Sequence, residues 1–173
     1  PGFAAKVTHR IDGDHVIDLF LGAITHREDI PPWRALPGLK SLAMTTADPN
    51  TSKLSNLYPL RGMALEKFTV HHSFGLTDLG PLRDMNSLVA LALVNTGVEN
   101  LAPLRNLRLR EFQCGGSLNV SDLSPLKDMK LERLDFRGTR LAVLSPLRGM
   151  PLKYLGQTSE YVRDLTPLKG MPL

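Results

Sequence analysis

Two adjacent histidines, His71-His72, are the first place where this chain could do chemistry. A pair of imidazoles holds a metal only if both rings reach it. Neighbours on an extended strand point to opposite faces, so this pair is not expected to share an ion. His9, His15 and His26 show no ligand spacing. The one cysteine, Cys114, occupies an inward position of the apolar pattern described below. It is expected to be a buried thiol, and with no second cysteine it forms no internal disulfide. The chain has no G-x-S-x-G, no phosphate-cradling glycine loop and no H-E-x-x-H. No catalytic residue, cofactor or metal is expected.

Charge offers a second kind of chemistry. Basic residues form a column at Arg61, Arg83, Arg105, Lys127, Arg148 and Lys169. Such a stripe could attract nucleic acid or an acidic partner. Asp29, Asp78, Asp122 and Asp164 recur in the same units, however, and Asp84 and Asp128 directly follow basic members. Alternating signs indicate solvation and local pairing. The net charge of +4 is mild and no aromatic residue interleaves the column. Nucleic acid is therefore not the expected partner, and a polyanion binder stands as the alternative.

These columns exist because the chain repeats itself. Pro-Leu recurs in phase at Pro59, Pro81, Pro103, Pro125, Pro146 and Pro167, at intervals of 22, 22, 22, 21 and 21 residues. A period in the low twenties marks one small unit stacked on itself. Each unit carries an apolar triplet spaced L-x-x-L-x-L: Leu65/Phe68/Val70, Leu88/Leu91/Leu93, Leu109/Phe112/Cys114, Leu131/Leu134/Phe136 and Leu152/Leu155/Gln157. Leu39/Leu42/Met44 and Val16/Leu19/Leu21 extend the series upstream, with Asp29-Ile30-Pro31-Pro32 as an exit turn and a longer loop from Thr45 to Asn56. This predicts about seven stacked strands and an eighth begun at Leu173.

The last two residues of each triplet are two apart, so they share one face of a short strand. Units stacked in one direction make a parallel sheet with strands about 4.8 Å apart. The return segment reads Ser-Pro-Leu or Thr-Pro-Leu at Ser124, Ser145 and Thr166. A hydroxyl residue before proline is expected to cap a helix whose first position is the proline. Gly62, Gly149 and Gly170 follow three residues after their prolines, which leaves room for one 3₁₀-type turn. At the N-terminus, Lys6 to Ile11 and Val16 to Leu21 flank Asp12-Gly13, a strong hairpin signal. The first arm is expected to pair antiparallel with the first repeat strand and block that edge.

The triplet, a polar residue and an apolar residue, at this period, resemble a leucine-rich repeat of the short internalin-like and SDS22-like kind. The cassette Leu144-Ser145-Pro146-Leu147-Arg148-Gly149-Met150-Pro151-Leu152 is similar to repeats of bacterial multidomain proteins. There they accompany serine/threonine kinase or formylglycine-enzyme-like domains. Pro1-Gly2-Phe3 and Arg34 to Leu39 resemble the start of such a region. The resemblance covers nearly the whole chain. It implies an α/β solenoid: a right-handed superhelix with a curved parallel sheet on the concave side and short 3₁₀ turns outside. Two departures stand out: Ser, Thr or Glu takes the place of Asn after the strand, and Gln157 sits at an apolar position.

A chain of 173 residues suits a single domain, residues 1–173, with a cap arm and turn over 1–15 and about seven repeats over 16–173. No run approaches the roughly eighteen apolar residues of a membrane span. Pro1-Gly2-Phe3-Ala4 has neither the basic start nor the long apolar run of a signal peptide, so none is expected in these residues. With the lone cysteine, this favours a cytoplasmic setting. The missing initiator Met and the end at Leu173, inside a unit, make a longer natural polypeptide the expectation. Recognition is expected on the concave face, at positions between and after the triplet residues. These are Lys67, Thr69 and His71; Ala90, Ala92 and Val94; Glu111 and Gln113; Arg133, Asp135 and Arg137; and Tyr154. A small apolar floor with a polar surround has the layout of a protein-binding patch. The functional expectation is non-enzymatic protein recognition within a larger bacterial protein, with a structural spacer as a further alternative. The sequence identifies neither the partner nor the oligomeric state.

Overall fold

The computed structural model describes residues 6–22, 36–45 and 54–173. The exit turn at Asp29 to Pro32, the start of the segment at Pro32, and the body of the Thr45 to Asn56 loop lie outside them. Eight strands form one sheet in chain order: β1 (Lys6–Asp12), β2 (His15–Gly22), β3 (Ser41–Thr45), β4 (Lys67–Ser73), β5 (Ala90–Thr96), β6 (Glu111–Gln113), β7 (Arg133–Asp135) and β8 (Tyr154–Gly156). From β2 onward every neighbouring pair is parallel. The middle triplets land in the core, with Phe68, Val70, Leu88, Leu93, Phe112, Leu134 and Phe136 fully buried, while Val16 of the first and Leu155 of the last are partly buried against it. Successive units place the same residue in register, with Phe68 beside Leu91, Leu91 beside Phe112 and Phe112 beside Leu134.

The cap pairs as the hairpin signal predicts. β1 runs antiparallel to β2, from Lys6 opposite Gly22 to Asp12 opposite His15. That register makes Gly13-Asp14 the two-residue loop, one position later than Asp12-Gly13. Gly13 has φ +58°, a conformation that glycine adopts without strain, and Asp14 has no positive φ. The register shifts between Arg10 and Ile11, whose partners Asp18 and Val16 skip Ile17, a bulge on the β2 side.

All six Pro-Leu pairs sit in single 3₁₀ turns: Tyr58–Leu60, Gly80–Leu82, Ala102–Leu104, Ser124–Leu126, Ser145–Leu147 and Thr166–Leu168. The caps differ from expectation. The hydroxyl before proline lies inside the turn and caps nothing. The first backbone N–H of the turn instead donates to an Asn or Asp two residues earlier, at 2.7–2.8 Å. The pairs are Tyr58 to Asn56, Gly80 to Asp78, Ala102 to Asn100, Ser124 to Asp122 and Thr166 to Asp164. Short amides and carboxylates make this local bond readily. Asp78, Asp122 and Asp164 thus hold turns together, and among the described residues no salt bridge joins them to the basic column.

Among the described 3₁₀ turns, one lacks the device. Val143 occupies the corresponding place before Ser145 and is 61% exposed. Val143→Asp should supply the missing acceptor and stabilise the chain by about 1 kcal/mol. In thermal denaturation the midpoint should rise by roughly 2–4 °C. An unchanged or lowered midpoint would remove capping as the reason for the column.

The polar residues at or beyond the strand ends form a buried hydroxyl series at Ser73, Thr96, Ser117 and Thr139. Ser117 Oγ donates to the Leu93 carbonyl at 2.9 Å and accepts from the Thr96 N–H at 3.2 Å. Thr139 Oγ1 donates to the Phe136 carbonyl at 2.8 Å. Short hydroxyls can satisfy the backbone here because the preceding residue turns left-handed: His72 (φ 57°), Asn95 (54°), Gly116 (70°) and Gly138 (70°). Gln157, the apolar-site exception, is half-buried and donates to the Ser159 carbonyl at 2.8 Å.

Candidate functional site on the open sheet face

Residues alternating with the core triplets build rows across the sheet. The first row runs Asp18, Ser41, Lys67, Ala90, Glu111, Arg133 and Tyr154. The second runs Phe20, Ala43, Thr69, Ala92, Gln113, Asp135 and Gly156. The third holds Thr45, His71 and Val94 in ladder register. The positions expected from sequence thus fall into adjacent rows, and Arg137 lies just beyond β7. Sequence reasoning left out Asp18, Phe20, Ser41, Ala43 and Thr45. The signal for them was present, because the same alternation applies to the first two triplets.

Ala43, Thr69 and Ala92 make a shallow floor of small, half-buried side chains. The β6–β8 end is different in character. The Arg133 guanidinium lies over the Tyr154 ring, 3.9 Å from its centroid. Such a cation–π contact fixes both side chains before any partner arrives. On the same strand, Asp135 is buried rather than open, its side chain only 9% exposed. Arg137 covers it: Nε donates to Oδ1 at 3.0 Å, Nη2 to Oδ2 at 2.6 Å, and the backbone N–H to Oδ1 at 3.1 Å.

Burial alone would raise the Asp135 carboxyl, but hydrogen bonds from Arg137 and the charges of Arg137 and Arg133 outweigh it. The group is held below the usual carboxylate range. Residues two apart on a strand share a face, so the pair was within reach of sequence reasoning; the burial that makes it matter was not.

Charge is also laddered along the rim. Glu132 accepts from Lys153 Nζ at 2.6 Å and from Arg110 Nη1. These bonds hold Glu132 below the ordinary range. Lys40 pairs with Glu66 at 3.2 Å, and Arg10 of the cap pairs with Asp18. Val89 interrupts the ladder between Glu66 and Arg110.

The histidines separate. His71 lies in the open row; burial, then the neighbouring His72, lowers its pKa. The premise of an extended strand holds for His71 only, since His72 is left-handed. The His72 ring stands roughly perpendicular to that of His71, 6.2 Å away, and its Nδ1 lies 3.1 Å from Asn95 Nδ2. Cys114 is 1% exposed, and burial, then the Asp135 charge, pushes its thiol up to about 12. It is protonated at neutral pH, and the thiolate is the nucleophilic form. Among the described residues no three His, Cys, Asp or Glu gather into a metal-sized group, and no helix is long and apolar enough to cross a membrane.

No protein-family model and no curated protein matches this sequence. Solved structures do match. An internalin, InlF, of Listeria monocytogenes superposes with a TM-score of 0.54 at 20% identity, over 79% of this chain and 52% of that one. Internalin C2 of the same bacterium gives 0.59 at 21% identity, over 87% of this chain and 76% of that one. This chain has the leucine-rich-repeat fold. It spans about half the length of the first of these internalins. The row-bearing face is therefore the concave face of a leucine-rich-repeat solenoid, and the 3₁₀ turns form its convex side.

Proposed function

We propose that this solenoid is a non-enzymatic protein-recognition module, one domain over residues 1–173, that serves a targeting or regulatory part of a larger bacterial protein. The observation that carries the reading is the preorganised arginine and aromatic cluster at the β6–β8 end of the concave face. Binding energy in protein interfaces concentrates in a few such residues. Side chains already held in place lose less freedom on binding. Here Arg133 is stacked on Tyr154 and Arg137 is locked onto Asp135. The small floor of Ala43, Thr69 and Ala92 lets a partner backbone approach the sheet. The proposed contact set is that expected from sequence, from Lys67 to Tyr154, extended by Phe20 and Ser41.

A pull-down from native lysate tests this reading. The Tyr154→Ala, Arg133→Ala double variant, which leaves the Asp135–Arg137 pair in place, should remain folded by circular dichroism and lose at least tenfold in capture of the partner. Alanine at Arg61, Arg83 and Arg105 together should leave capture unchanged. The reverse pattern would move the site to the convex side and favour polyanion binding through the basic column.

A further inference from the structure

We propose that a hollow on the concave face, bounded by His71, Gln113 and Arg137, is a subsite for an acidic side chain, aspartate or glutamate, carried by the protein partner. This rests on the concave-face reading above and adds the chemistry of one anchor. The hollow has a volume of about 430 Å³, and Val94, Asn95, Gly115 and the Arg137-paired Asp135 complete its lining. A guanidinium presents two hydrogen-bonding edges. Asp135 takes one of them, through Nε and Nη2 of Arg137. The remaining edge, with Nη1, has no partner among the described residues. It suits a second carboxylate bound through two parallel bonds.

The asymmetry of burial decides the sign of the ligand. The Arg137 side chain is 57% exposed and the Asp135 side chain 9%, so an incoming group meets the cation. An amine would find the Asp135 oxygens already occupied. Gln113 stands next to Asp135 in the row, half-buried, and its carboxamide has no partner among the described residues. Its NH₂ supplies a further donor to the same carboxylate. Val94 is apolar and Gly115 lacks a side chain, so this part of the lining suits a methylene stem. The Asp135 contacts hold the Arg137 fork before binding, so little freedom is lost when the carboxylate arrives.

The test is an NMR titration of the intact chain with N-acetyl-glutamate N-methylamide, using N-acetyl-glutamine N-methylamide as the neutral control. The expected result is saturable shifts of the Arg137 Nε–H and Gln113 NH₂ signals with the glutamate probe and at least tenfold weaker binding of the glutamine probe. Arg137→Gln should abolish the response. Because that variant also uncovers Asp135, Gln113→Ala provides an independent check: it leaves the Asp135–Arg137 pair intact and should weaken the glutamate probe several-fold. Silence at both signals, equal response to both probes, or undiminished binding in Gln113→Ala would overturn the subsite. The concave-face reading survives that failure if Tyr154→Ala with Arg133→Ala still loses the lysate partner while Arg137→Gln keeps it. If neither variant affects capture, the reading itself falls.

Discussion

Leu134→Asp is expected to unfold the middle of the solenoid. Leu134 is fully buried and stacks between Phe112 and Leu155 in neighbouring strands. Removing a buried leucine costs roughly 2–5 kcal/mol, and an unpaired carboxylate in its place adds desolvation on top. A loss of this size is comparable with the whole stability of an ordinary domain, about 5–15 kcal/mol. Each repeat rests on its neighbours, so damage at β7 spreads to β6 and β8. Lys67→Asp, on the exposed row of β4, should change the unfolding free energy measured in urea by less than about 0.5 kcal/mol and barely move the midpoint. Equal midpoints for the two variants would contradict the strand register. Arg137, fully open in a sequence reading, does not serve as the neutral control, since reversing its charge would strand the buried Asp135 carboxylate.

Deleting residues 1–12 is the second large perturbation. It removes β1 and exposes the edge of β2, whose Leu19 and Leu21 help close the core. A bare, flat edge pairs with other chains. Amide exchange over Val16 to Leu21 should accelerate by at least a hundredfold, and sedimentation should show concentration-dependent association. Full protection of Val16 to Leu21 in a monomeric variant would show that β1 caps nothing.

The architecture was legible in the sequence because each unit states it again. A single L-x-x-L-x-L could be helix or strand, but recurrence in phase with Pro-Leu admits only a stacked sheet with short returns. The N-terminal arm was legible for a different reason, the Asp12-Gly13 signal between alternating segments; the one-residue shift of its loop depends on the bulge that skips Ile17, which leaves no mark in composition. The turn caps were misassigned to Ser124, Ser145 and Thr166. At Ser124 and Thr166 a hydroxyl and a carboxylate both stand near the turn, and only geometry shows that the residue two positions earlier reaches the N–H; the Ser145 turn has Val143 in that place. The concave rows followed from alternation alone. What alternation could not supply was the depth of individual side chains. Asp135 and Gln113 occupy adjacent places in one row, yet one is buried and neutralised by Arg137 while the other has no partner among the described residues.

Site-specific photo-crosslinking in the complex tests concave-face recognition most directly. A photoreactive phenylalanine analogue is placed singly at Glu111, at Tyr154 and, on the convex side, at Arg105. All three side chains reach solvent, Tyr154 only in part. Irradiation should couple the partner to Glu111 and Tyr154 and leave Arg105 unreacted. Crosslinks from Arg105 alone would contradict the account and place recognition on the turns instead of the sheet.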